Sequence, residues 1–132
     1  MWKRIVASIA VLTIAVSSLI LYRRHQAQQT HLHAEWQAAE MVWQKSLKQY
    51  QHDLPIGTSR AGVRKYLDSR KAVYSEGQEI MVKIGEMPDP GPVCDSWYIY
   101  VSLAFTPAQN QGEDSPLDTL TGASIKRVGH CS

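Results

Sequence analysis

The chain has 132 residues, with 14 lysines and arginines, 12 acids, a formal charge of +2 and two cysteines. That length allows one modest domain and excludes two, and the small net charge excludes a broad nucleic-acid-binding surface. The cations are unevenly placed: Lys3, Arg4, Arg23 and Arg24 flank the first apolar run and leave ten cations against twelve acids elsewhere, so the part after residue 24 is mildly acidic.

From Ile5 to Tyr22 there are 18 uncharged, mostly apolar residues. As a helix they would span roughly 27 Å, close to a hydrocarbon core about 30 Å thick. Residues 1–24 therefore read as a short stub and a transmembrane anchor. A cleaved secretory signal is the competing reading, with Lys3 and Arg4 as its basic region and Ala15-Val16-Ser17 as a small-x-small site. The anchor is favoured because the run continues through Leu19, Ile20 and Leu21 to the Arg23-Arg24 stop, beyond the roughly 7–15 apolar residues of a cleavable core. Basic residues at both ends leave the orientation to the cysteines. Cys94 and Cys131, an even pair in a small domain, fit a disulfide formed in an oxidising compartment; two reduced, buried cysteines in a cytosolic domain are the alternative. The expected placement is single-pass in a bacterial inner membrane, with the N-terminus cytoplasmic and residues 25–132 forming a periplasmic domain.

Residues 23–52 contain neither glycine nor proline and are rich in helix formers. Leu32, Trp36, Ala39, Trp43, Leu47 and Tyr50 recur at helical spacing and draw one apolar stripe. The helix can continue the anchor without a break, as one rod that holds the domain away from the bilayer, until Pro55 and Gly57 end it. A second, shorter helix is expected from a Thr58 or Ser59 cap to about Asp68, with Val63, Tyr66 and Leu67 buried and Ile56 stapled onto Val63 or a neighbour. The period then changes to two. Short strands are expected over Lys71–Ser75 and Glu79–Glu86, joined by a turn at Glu76-Gly77. The proline-rich stretch from Met87 to Val93 is a connection. Ser96–Thr106 is the clearest strand, with Trp97, Ile99, Val101, Leu103 and Phe105 on one face and Tyr98, Tyr100, Ser102 and Ala104 on the other. A polar loop from Pro107 to Asp118 leads to a return strand, Thr119–His130. The predicted fold class is α+β, two helices followed by a three- to four-stranded antiparallel sheet.

The return strand brings the cysteines together. If Phe105 pairs near Leu120, antiparallel register carries Cys94 to Cys131 at the open end of the hairpin. The two occupy opposite alternation phases, which calls for a bulge or a frayed end near Gly129.

Few residues suggest chemistry. His31 and His33 lie two apart, which places them on different faces of a helix with no further ligand at metal spacing. A bridged Cys131 offers His130 no thiolate. No phosphate-binding glycine loop, nucleophile elbow or HExxH helix occurs, and Glu113, Asp114 and Asp118 read as solvated acids. No enzyme, cofactor or metal is expected. Arg60, Arg64 and Lys65, with Arg70 and Lys71, are candidates for lipid-headgroup contact, against the plainer reading of a solvated face. Trp36 and Trp43 either pack on the sheet or join an interaction surface. Tyr98 and Tyr100 form an exposed aromatic patch if their face is uncovered, or a second core layer if it is not.

The run Leu54-Pro55-Ile56-Gly57-Thr58-Ser59-Arg60-Ala61-Gly62-Val63-Arg64-Lys65-Tyr66-Leu67 resembles the G-[ST]-x-x-x-V-x-x-x-L opening of the SmpA/OmlA, or BamE-like, envelope domains. The resemblance implies two helices on a small antiparallel sheet and a non-enzymatic assembly or binding role, although an apolar helix stands here in place of that family's lipidated cysteine. The function expected is a membrane-anchored interaction module with a protein partner in the envelope. The alternative is an envelope inhibitor or immunity protein, whose acidic soluble part suits a basic toxin or hydrolase.

Overall fold

Nothing before Pro55 interrupts a helix, and in the computed structural model, which describes residues 2–88, 94–106 and 115–131, helix α1 runs unbroken over Trp2–Asp53. It is the one helix among the described residues long and apolar enough to cross a membrane, with a mean hydropathy of 1.9 over its 18-residue window. Val11, Leu12 and Ile14 stand exposed along it. Ser17 and Ser18 return their hydroxyls to the Thr13 and Ile14 carbonyls, both at 2.8 Å, so their donors are satisfied within the helix. The chain divides into two compact units, Met1–Gln37 and Ala38–Ser132, and the sheet belongs to the second.

Helix α2 spans Arg60–Ser69, and Ser59, in extended conformation, caps it by accepting the Gly62 N–H. The neighbouring orphan donors are also satisfied: Arg60 N–H bonds the Asp118 carbonyl at 2.8 Å and Ala61 N–H the Pro116 carbonyl at 3.2 Å. At the other end Lys71 adopts a left-handed φ of 53°, and the Ala72 N–H reaches back to the Leu67 carbonyl. Lys71 is therefore consumed in the helix cap, which is why the first strand starts at Tyr74 rather than at Lys71. Ile56 is 78% exposed and staples nothing.

Strands β1 (Tyr74–Glu76), β2 (Glu79–Glu86), β3 (Ser96–Thr106) and β4 (Thr119–His130) form one antiparallel sheet in chain order. A bulge at Ile84 lies between the β2–β3 pairs Lys83↔Tyr100 and Gly85↔Ile99. Another falls at Thr121, between the β3–β4 pairs Ala104↔Gly122 and Phe105↔Leu120. Of the two expectations near Gly129, a bulge or a frayed end, the bulge is absent and the ladder simply ends after Ser96↔His130. Gly129 instead pairs with Trp97 inside a regular ladder, and the indole lies so close that a Cβ there would stand 3.0 Å from the ring. The cysteines lie beyond the last pair, Ser96↔His130, where strand alternation no longer applies, and they form the Cys94–Cys131 disulfide.

The core lies on the Ile99 face. Leu54, just past α1, and Val63 and Leu67 of α2 cover Ile80, Val82, Val101, Leu103 and Leu120, with Leu47, Tyr50, Tyr66, Ile84 and Phe105 packed around them. Each fully buried aliphatic side chain stabilises by about 1.5–3 kcal/mol.

One charged pair is buried with them. Arg60 is 1% exposed and Asp118 2%. The guanidinium donates to the carbonyls of Gly77 and Gln78, each at 2.9 Å, sets its Nε 3.5 Å from Asp118 Oδ2 and lies 4.3 Å from the Phe105 ring centroid. Asp118 is thus a buried partner and not a solvated acid; Glu113 and Asp114 lie outside the described residues. Removing one member of such a pair strands the other charge, so Arg60→Ala should lower the unfolding free energy by about 3–5 kcal/mol. Urea denaturation checks this, and Arg60→Met with Asp118→Leu should recover most of the loss. Breaking the bridge with Cys94→Ser and Cys131→Ser should cost about 2–4 kcal/mol; reductant should reproduce that loss in the parent and do nothing to the variant.

Candidate functional site

Strand alternation leaves the face opposite the core to Glu79, Met81 and Lys83 of β2, Tyr98, Tyr100, Ser102 and Ala104 of β3, and Ser124, Lys126 and Val128 of β4. Both helices contribute to the core on the other side, and among the described residues no helix covers this one. Tyr98 and Tyr100 are half-buried there, neither bare nor part of the core.

The surrounding charges are tied to one another. Lys83 Nζ lies 4.0 Å from the Tyr98 ring centroid and 2.8 Å from Glu86 Oε1, and that hydrogen bond raises its pKa. Glu79 accepts from both Lys126 and the buried Ser102 hydroxyl, which join strands β2, β3 and β4. Those bonds, the one from Lys126 foremost, hold its carboxyl below the usual range despite partial burial. The result is a sheet face with two aromatic rings in its middle and ion pairs at their side.

The other sequence candidates separate. Trp43 is 3% exposed and packs its indole Nε1 against Gly85, where a Cβ would stand 3.1 Å away. This corrects its candidacy for an interaction surface: it is a core residue. Trp36 is partly buried and belongs to the N-terminal unit. Arg60 is withdrawn from any lipid headgroup by its burial, a second correction. Arg64 binds Glu76 of β1 at 2.6 Å. Of the three proposed headgroup contacts only Lys65 is exposed.

One cluster has no local signature in the sequence. Asp53, the last residue of α1, receives the Tyr66 hydroxyl at 2.5 Å, Gln49 at 2.9 Å and Arg70 at 2.8 Å. Arg70 also stacks over Tyr66, 4.7 Å from the ring centroid, and Tyr50 meets Tyr66 edge-on at 6.2 Å. Spacings of 13 and 17 residues lie outside any helical or strand period, so only the packed fold reveals the contact. The Tyr66 bond, followed by those from Gln49 and His52, holds the Asp53 carboxyl far below its ordinary range. Burial, followed by the Asp53 bond, pushes Tyr66 up to about 12.

The signs differ at the two ends of the pH scale. A depressed Asp53 stabilises above the ordinary carboxylate pKa of about 4, and this is lost as pH falls below it. A raised Tyr66 stabilises below the ordinary phenol value of about 10, and this is lost as pH rises towards about 12. Tyr66→Phe should therefore lower stability near neutrality and flatten both limbs. Urea midpoints of parent and variant should converge in strong acid and strong alkali, and a constant gap across pH would contradict the linkage.

No protein-family model, curated protein or solved structure matches this chain, so its functional reading rests on the sheet face and its flanks.

Proposed function

We propose that this chain is a non-enzymatic, single-pass, membrane-anchored protein whose α+β unit binds another protein through the open face of its sheet. The observation that carries the reading is the pair Tyr98 and Tyr100, half-exposed on a face that no helix covers among the described residues, beside cations already held by Glu79 and Glu86. Aromatic rings supply large contact area at low cost in side-chain entropy, and charges paired in advance lose less solvation when a partner covers them. The disulfide supports an oxidising compartment for this unit, and with the apolar α1 it favours the periplasmic side of a bacterial inner membrane. The likeness of residues 54–67 to BamE-like envelope domains points to the same class of role.

A photo-crosslinking residue at Ala104, on the same face, should capture a discrete partner in intact membranes. Tyr98→Ala with Tyr100→Ala should abolish the adduct while leaving the urea midpoint within about 1 kcal/mol of the parent, since half-buried surface rings contribute modestly to folding. Loss of a central aromatic anchor weakens binding by about 2 kcal/mol, roughly thirtyfold. An undiminished adduct in the double variant would sink the sheet-face reading.

A further inference from the structure

In the order β1-β2-β3-β4, strand β4 is an edge of the sheet. An edge leaves every second residue with its N–H and C=O turned away from its neighbour. The Met87 N–H bonds the Trp97 carbonyl, so Trp97 turns its backbone to β2, and its β4 partner Gly129 turns outwards. Alternation sends the backbones of Arg127, Ile125 and Ala123 the same way.

The chain closes this edge only in its first half. Leu120 exchanges both of its groups with Gly57 and Thr58, and Gln51 Nε2 reaches the Ala123 carbonyl at 3.3 Å. Among the described residues nothing bonds the outward N–H and C=O groups of Ile125, Arg127 and Gly129. The usual guards of an edge are missing there too. No proline stands between Gly122 and His130, and the pairing with β3 is regular throughout. Lys126 and Arg127 could repel an incoming strand, but Glu79 holds the first across the open face and Glu40 draws the second to α1.

We infer that the second half of β4 docks an extended segment of another protein as a fifth strand. A second copy of this chain is the poorer occupant, for reasons of charge. The antiparallel register that joins all three open residues sets Arg127 opposite Arg127 of the second copy. A shift one way sets Lys126 opposite Lys126, and a shift the other way carries Ile125 past the end of β4. Like charges directly opposite destabilise a sheet, and a foreign strand is free of that symmetry. Its chemistry follows from the edge. Val128 is 44% exposed on the open face and Ile125 is half-buried on the other, so the segment carries apolar residues three apart. It has no cation opposite Lys126 or Arg127 and no proline opposite the three open residues. Backbone bonds supply the affinity of such docking, and side chains supply its selectivity.

The test uses the full chain in phosphatidylcholine nanodiscs, one copy to a disc, and reads amide hydrogen exchange residue by residue. The probe is a capped threonine heptapeptide with valine at its third and sixth positions. At about ten times its Kd, exchange of the Ile125, Arg127 and Gly129 amides should slow about tenfold, while the Lys126 and Val128 amides, already bonded to β3, should not change. The same peptide N-methylated throughout should protect none of them. Arg127→Pro removes one outward donor and no bond to β3, a change that edge strands tolerate, and should weaken the peptide about tenfold. The N-methyl comparison is made on the parent chain and holds whatever that variant's stability. The inference is overturned if the heptapeptide slows none of the three amides, if the N-methylated peptide matches it, or if a folded Arg127→Pro chain binds like the parent. It is also overturned if discs holding two copies protect the same amides without peptide, which would assign the edge to a second copy. Docking here uses backbone groups in the plane of the sheet, so Tyr98→Ala with Tyr100→Ala should keep the protection, and the two readings fail separately.

Discussion

A guanidinium withdrawn from water joins three pieces of this fold that are remote in sequence. Arg60 opens α2, its forked nitrogens take the two carbonyls of the β1–β2 turn, and its Nε faces the carboxylate that precedes β4. Taking both charges out of solvent costs several kcal/mol, which is recovered only when the geometry and the remaining hydrogen bonds are right. The pair therefore acts less as a source of stability than as a selector of one arrangement. The backbone agrees with the side chain, because the first donors of α2 also reach the Asp118 and Pro116 carbonyls. With the start of α2 so located, Val63 and Leu67 fall onto Ile80, Val82 and Leu103.

The helices and the linker between them cover the sheet unevenly, and that asymmetry creates both surfaces of interest. Gly57 and Thr58 exchange backbone bonds with Leu120, Gln51 donates to the Ala123 carbonyl, and Arg127 binds Glu40, so the long edge strand β4 is blunted over part of its length. The opposite flank, beyond the short β1, carries an open hollow between β2 and α1. Among the described residues the sheet's second face has neither helix nor linker on it, and strands β2, β3 and β4 are held together there by the Glu79, Ser102 and Lys126 bonds.

Periodicity made much of this fold legible in the sequence. The bounds of β2, β3 and β4 and the Ser59 cap follow from alternation and capping chemistry, and α1 follows from an absence of breakers. What periodicity missed depends on contacts between distant residues. Arg60 and Asp118 both read as solvated charges, because nothing local distinguishes a surface arginine from one aimed at a turn 17 residues away. The parity of the cysteines calls for a bulge or a frayed end near Gly129, yet the glycine's role is to make room for Trp97, the extra residue is Thr121, and the ladder ends before the cysteines. Tyr98 and Tyr100 were placed on the correct face by parity alone, but the lysine over one ring comes from another strand. The bonds from Tyr66 and Arg70 to Asp53 left no trace in the sequence, since they join the end of α1 to α2 and its cap, whose packing had to exist first.

The bridge between Cys94 and Cys131 closes the β3–β4 hairpin at its open end, and the polypeptide closes it at the other. The hairpin is therefore a covalent ring. A single cut in the connection between Thr106 and Thr119 would leave β4 bonded to its neighbour, in register and unable to diffuse away. The ladder would outlive the peptide bond that made it.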